Sequence, residues 1–245
     1  MGLTDTAIER LRALIVNGDL SPGARLPPEQ QLAAQLGISR GSTREAVKAL
    51  THARMLSVKR GDGTYVTSLE PDELLHGITL AAELARNETV LDVLEVRRLL
   101  EPGATRLAAE RISDGELDEI ATLLTVMDDT HDPQDFIKLD VEFHNRIVEG
   151  AGNAWLTAVL RGLSEPTIRA RRERLTFDLQ VEELTRAQHR DIYTALRERD
   201  SALAEAAALA HICSVQRGLR TILLDNDNTH HNNNHRPTLA PRKDT

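Results

Sequence analysis

Apolar residues recur along this chain at two spacings, and the change from one to the other divides it. Ile8, Leu11, Leu14 and Ile15 repeat at helical intervals, and Gly18 with Pro22 and Gly23 ends that helix. In "PPEQQLAAQLGISRGSTREAVKAL", Leu32, Ala33 and Leu36 form the inner face of a short helix, Gly37 permits a tight turn and Ile38 fills its angle. A second helix follows with Ser39 or Ser42 as its cap, Ser42 to Glu45 fitting a capping box, and Ala46, Val47 and Leu50 facing inward. The period then falls to two: Leu56 and Val58 alternate, Gly61-Asp62-Gly63 turns, and Tyr65-Val66 returns. Helix, glycine turn, capped helix and hairpin make a winged helix-turn-helix.

From residue 69 to about 225 the helical period persists through seven segments, beginning "LLHGITLAAELA", "VLDVLEVRRLLEPGATRLAAER" and "GELDEIATLLTVMDD". The breaks between them are short, "NET", "ISDG", "HDPQ", "AGN" and a stretch around Thr176 to Leu179, which predicts an antiparallel bundle. The expected fold is mainly α, with an N-terminal winged helix-turn-helix and a C-terminal antiparallel all-α bundle. The expected boundaries are 1–68 for the head, 69–225 for the bundle and 226–245 for a disordered tail, "NDNTHHNNNHRPTLAPRKDT", which lacks the apolar residues needed for ordering.

Composition changes this picture little; charge changes it more. The apolar fraction of 40% and charged fraction of 28% are those of an ordinary globular chain. No apolar run reaches the roughly 18 to 20 residues of a membrane span, and the start has no signal-peptide pattern. With Cys213 alone no internal disulfide can form, which fits a cytoplasmic location. The net charge of -8 hides a division: residues 1–68 hold nine Lys or Arg against six Asp or Glu, whereas the remainder holds 21 against 32. A basic head on an acidic body suits a DNA-reading module joined to a domain that does not bind DNA.

Candidate chemistry lies in both parts. Arg40, Arg44 and Lys48 recur every fourth position, opposite the inward residues of their helix, and Ser39, Ser42 and Thr43 place hydroxyls near its start. Such a helix can enter a major groove, where an arginine fork on guanine contributes roughly 1 to 3 kcal/mol of discrimination. Taken alone, the stripe is also what a solvated basic face looks like. In "LDVEFHNRIVEGAGN", Asp140 and His144 share one helical face with apolar neighbours Phe143, Ile147 and Val148. A carboxylate there requires compensation. Arg97 lies beside the stripe of Val93, Leu94, Leu100 and Ala104, where an intrahelical salt bridge to Glu101 competes with a ligand-binding role.

The head segment "LSPGARLPPEQQLAAQLGISRGSTREAVKAL" with "GDGTYV", and the body segments "EVRRLLEPGATRLAA" and "LDVEFHNRIVEGAGN" with "QHRDI" and "AHICSVQ", resemble GntR-family transcription regulators of the FadR-like subfamily, whose C-terminal part is the FCD ligand-sensing domain. The resemblance spans residues 5 to 222. It implies that Arg40, Ser42 and Arg44 contact operator DNA, with Thr43 and Lys48 on the same helix and Arg60 and Gly61 at the wing tip. The chain departs from the family at Gln30, where many relatives carry a DNA-contacting Arg, and at Gly41, where some carry Thr, which leaves the operator sequence open. It also implies that Asp140, His144, His189 and His211 hold a divalent metal ion, zinc foremost with nickel, manganese or iron as alternatives, and that Arg97 holds the carboxylate of a small effector. His230, His231 and His235 in the tail are adventitious binders on this reading.

The expectation is a cytoplasmic homodimeric repressor of a catabolic operon, released from double-stranded operator DNA by a small organic or sugar acid, with no membrane partner and no catalysis. Two rivals stand beside it. One is a metal-dependent enzyme with a fused DNA-binding head, against which the chain offers no H-E-x-x-H motif. The other is a regulator with a purely structural metal and an acyl-CoA-like effector.

Overall fold

A computed structural model of the protein describes residues 2–83, 87–164, 167–168 and 179–233. It divides into two compact units, Met1–Ile78 and Thr79–Thr245.

The first unit holds α1 (Leu3–Val16), α2 (Glu29–Leu36), α3 (Arg40–His52), the strands β1 (Leu56–Lys59) and β2 (Gly63–Val66), and the short α4 (Pro71–Leu74). In α1 the fully buried positions are Ala7, Leu11 and Ile15, with Ile8 and Leu14 flanking them. These close on Leu32, Leu36, Ala46, Leu50, Leu56 and Val66 to form one small core. Gly37 ends α2 at φ +62°, a left-handed conformation that glycine adopts without Cβ strain, and so turns the chain toward α3. Ser39 caps α3, its Oγ accepting from the Ser42 N–H at 3.1 Å. The expected Ser42–Glu45 capping box does not form: Ser42 already lies inside the helix, and Glu45 pairs with Lys48 at 2.9 Å.

The wing is antiparallel, running from Leu56 opposite Val66 to Lys59 opposite Gly63. Leu56 and Val66 face the core, but Val58, which the period of two sets on the same face as Leu56, is 62% exposed: only the base of the hairpin reaches the core, and the alternation does not carry burial further along β1. The chain around Arg25 adds a third line to it: Leu26 N–H donates to Thr64 O at 2.8 Å and Val66 N–H to Ala24 O at 2.9 Å.

The helix α5 (His76–Glu83) leads toward the second unit, which holds α6 (Asn87–Arg111), α7 (Asp114–Asp129), α8 (Pro133–Gly150), α9 (Ala154–Gly162), α10 (Leu179–Arg197) and α11 (Ser201–Asn233). The central helix is α6, packed against α8, α9, α10 and α11. It continues through Pro102. Proline inside a helix costs about 3 kcal/mol; the same helix buries Leu94, Ala104 and Ala108 completely. Alanines on α6 and α11, among them Ala104, Ala108, Ala204 and Ala208, line the same core as Phe136, Phe143, Ile147, Ile192 and Leu196. The final helix runs to Asn233, past the expected end of the bundle at 225, and residues 234–245 of the expected tail lie outside the described residues. Of the expected break around Thr176 to Leu179, residues 176–178 also lie outside them, and Leu179 begins α10. Among the described residues no helix is long and apolar enough to cross a membrane.

Candidate metal centre and DNA-reading surface

The amphipathic pattern of α8 turns Phe136, Asp140, Phe143, His144 and Ile147 into the bundle. Two further helices meet that face, α10 bringing His189 and α11 bringing His211. One ligand atom from each of Asp140, His144, His189 and His211 lies within 4.8 Å of all the others. Two metal–nitrogen bonds of about 2.1 Å in opposite directions span nearly that distance. All four side chains are buried, His189 completely and Asp140 to 4% exposure. A carboxylate and three imidazoles enclosed in an apolar bundle are a donor set that fits a borderline divalent cation.

Neighbours fix which nitrogen two of the rings present. His144 donates from Nδ1 to Glu101 Oε1 at 2.9 Å, and its Nε2 lies 3.8 Å from Asp140 Oδ1. His211 donates from Nδ1 to Gln188 Oε1 at 3.0 Å. In each ring the proton is thereby placed on Nδ1, so the Nε2 lone pair is the one left for coordination. His189 Nε2 is 3.3 Å from the same Asp140 oxygen, and its ring stacks on Phe143 with centroids 4.3 Å apart. Burial, followed by the charges of His189 and His144, pushes His211 well below the usual imidazole range, which keeps it the neutral ligand a metal requires.

Glu101 stands behind the cluster. Burial by itself would raise its carboxyl, but the Arg97 guanidinium and then His144 outweigh it and hold Glu101 far below the ordinary carboxylate range. Arg97 reaches Glu101 Oε2 from NH2 at 2.8 Å and from Nε at 3.0 Å, and donates from NH1 to Thr167 Oγ1 at 3.0 Å. The intrahelical salt bridge is therefore present, and Arg97, 3% exposed, sits one residue away from the histidine cluster through Glu101. Sequence reasoning set Glu101 beside Arg97 but missed its bond to His144, which crosses from α6 to α8 and leaves no trace in spacing. Gln188 was missed for the same reason, its neighbour His189 being the residue the pattern singles out.

In the head, the structure sorts the expected DNA contacts by exposure. Arg40, Arg44 and Lys48 lie along the open side of α3, with side-chain exposures of 65%, 58% and 60%. Ser42 sits half-buried at the first turn, and Arg60 and Gly61 are exposed at the wing tip, where Gly61 has φ +78°. Thr43 is not with them: it is fully buried, and its hydroxyl donates to Ser39 O at 3.0 Å. Position 43 is one residue from the stripe and thus about 100° around the helix from Arg44. It secures the start of α3 from inside.

Comparison with known proteins covers both units. Residues 3–66 match the bacterial regulatory proteins of the gntR family, and residues 92–213 match the FCD domain. The chain is 34% identical over 209 residues to the HTH-type transcriptional regulator LutR of Bacillus subtilis strain 168, covering 83% of this chain and 94% of that one. It is 30% identical over 230 residues to the galactonate operon transcriptional repressor of Escherichia coli K12, covering 89% and 97%. Among solved structures, a GntR protein of Streptococcus agalactiae superposes with a TM-score of 0.69 at 30% identity, over 87% of this chain and 99% of that one.

Proposed function

Because the chain belongs to the GntR family of bacterial regulators, carries an FCD domain and is a DNA-binding transcription regulator rather than an enzyme, we propose that it is a metal-dependent sensor of a small hydroxy acid or sugar acid. The single observation that carries this reading is the enclosed meeting of Asp140, His144, His189 and His211. Bound there, a divalent cation, zinc foremost, would neutralise Asp140 and offer its remaining positions to oxygen donors. An α-hydroxycarboxylate has two such oxygens in one plane, and the galactonate named for one relative is an acid of that class.

On this reading the chain's own residues divide the work. Asp140 and the three Nε2 atoms hold the ion, Glu101 and Gln188 orient the rings of His144 and His211, and Arg97 provides a second positive charge behind Glu101. An effector carboxylate drawn toward Arg97 would compete with Glu101 for the guanidinium, and the loosened Glu101 would release His144. That exchange links ligand binding to the packing of α6 on α8, two helices that share the core. The effector acts to the extent that it binds two packings with different affinity. The domains of the reading are 1–68 for DNA and 69–225 for sensing, joined through residues 68–75, in a cytoplasmic homodimer that represses a catabolic operon.

The testing experiment uses the full chain, with metal content by elemental analysis and DNA binding followed during titration with a panel of hydroxy acids and aldonic acids. Expected are about one ion per chain and weakened DNA binding with at least one acid, both lost in His189→Ala and His211→Ala. Retention of full metal content and acid response by both variants would overturn the site.

A further inference from the structure

Glu29 opens α2, directly after Pro28, yet its side chain is not spent on its own helix. It reaches across to α3 and meets both arginines of the exposed stripe. Arg44 donates from NH2 to Glu29 Oε1 at 2.9 Å and from Nε to Oε2 at 3.1 Å, a fork-to-fork pair, and Arg40 Nε stands 3.5 Å from the same Oε1. Arg44 and then Arg40 hold the Glu29 carboxyl below its ordinary value, which favours its charged form. The two arginines differ in consequence. Arg40 keeps its donors almost entirely, whereas Arg44 has one full edge of its guanidinium occupied and its plane set.

An acidic residue between the two cations of a DNA-facing helix is costly for simple attraction to phosphate, since each neutralised phosphate contact contributes to affinity without regard to sequence. Its value lies elsewhere. A guanidinium gripped through Nε and NH2 has only the NH1–NH2 edge left for a base, and that edge still presents two N–H donors able to meet O6 and N7 of guanine. A freely rotating arginine would instead satisfy itself on any nearby phosphate.

We propose that Glu29 is a specificity-determining positioning residue that fixes Arg44 for base reading and disfavours phosphate-only binding. It acts through Arg44, and the proposal rests on α3 being the base-reading helix. As an exposed pair the contact adds little to folding, so its removal leaves the head intact while changing what the head prefers.

The test selects a preferred duplex from a randomised DNA pool with the intact wild-type chain, then measures affinity for that duplex and for a scrambled duplex of equal length and composition across a salt series. Glu29→Gln is expected to lower affinity for the selected duplex about tenfold, the scale of one well-placed base contact, while affinity for the scrambled duplex holds or rises. The ratio of the two falls accordingly, with unchanged thermal melting. In an Arg44→Ala background the same change leaves the ratio where Arg44→Ala alone put it. Equal shifts on both duplexes, or the same loss of ratio with and without Arg44, would overturn the role of Glu29 while leaving α3 as the reader. An unchanged ratio in Arg44→Ala alone would instead remove Arg44 as a base reader, and the proposal with it.

Discussion

Glu101 accepts a hydrogen bond from His144 Nδ1 at 2.9 Å across the α6–α8 contact, and its other oxygen is held by Arg97. One buried carboxylate thus joins the charge of α6 to the imidazole that faces Asp140. A ring so oriented presents Nε2 in a fixed direction, and the anion behind it makes that nitrogen a stronger donor.

Replacement of Glu101 by Gln keeps the shape and removes the charge. It leaves Arg97, 3% exposed, without its ion-pair partner among the described residues, the situation in which breaking a buried pair costs about 3 to 5 kcal/mol. Metal affinity is expected to fall by about 10- to 100-fold. Urea unfolding measures the first and competition with a chromogenic chelator the second. The double variant Arg97→Met, Glu101→Gln should recover much of the stability and none of the metal affinity. If Glu101→Gln took up metal as the wild type does, orientation of His144 by Glu101 would not matter for the site.

At the start of α7 a separate carboxylate sets a pH dependence away from the cluster. Glu116 accepts from the Ser113 hydroxyl at 2.6 Å and from its N–H at 2.8 Å, and the Ser113 Oγ in turn accepts from the Glu116 N–H at 3.3 Å. The side-chain and then the backbone bond hold Glu116 below its ordinary value of 4.5, against a small opposing effect of burial. The folded carboxyl is therefore ionised where the unfolded one is partly protonated. Its stabilisation is complete above the unfolded value and is lost as pH falls through the lowered folded one. Ser113→Ala is expected to cost about 1 kcal/mol near neutral pH. The gap between the variant and wild type should narrow on acidification below about pH 4, as read by paired denaturant curves. A gap independent of pH would mean that the box contributes nothing through its carboxylate.

Much of this architecture is legible in the chain because burial follows period. Leu11 and Ile15 in α1, Leu32 and Leu36 in α2, and Ala46 and Leu50 in α3 are among the positions the apolar spacing selects and are buried, while Ile8, Leu14 and Val47 are partly so. Asp140 and His144 were readable as a pair because four residues return the α-helix to the same face. That His189 and His211 join them came from resemblance, since helical spacing sets faces within a segment and says nothing of which faces meet. Glu101 to His144 and Glu29 to Arg44 are such meetings between segments, at separations that no local pattern encodes. Ser42 and Thr43 show a finer limit: hydroxyls at a helix start suit a cap, a phosphate contact or an internal bond equally well, and the choice depends on a rotation of one residue.

Thr43 offers the sharpest check of that rotation. Its hydroxyl donates to Ser39 O at 3.0 Å, but this carbonyl also accepts the Thr43 N–H at 3.0 Å, so loss of the hydroxyl leaves no orphaned acceptor. Thr43→Val replaces a fully buried side chain by one of nearly equal volume. The expected cost is about 0.5 to 1.5 kcal/mol, the net contribution of one neutral hydrogen bond, and the apolar methyl gained offsets part of it. Because the hydroxyl points into the head, affinity for a selected duplex should stay within about twofold once the protein is folded, a difference well under the 1.4 kcal/mol of a tenfold change. Binding measured well below the melting temperature separates the two effects. A tenfold loss of DNA affinity in a variant that melts like wild type would place Thr43 on the groove-facing side of α3 and require α3 to rotate relative to α2 on binding.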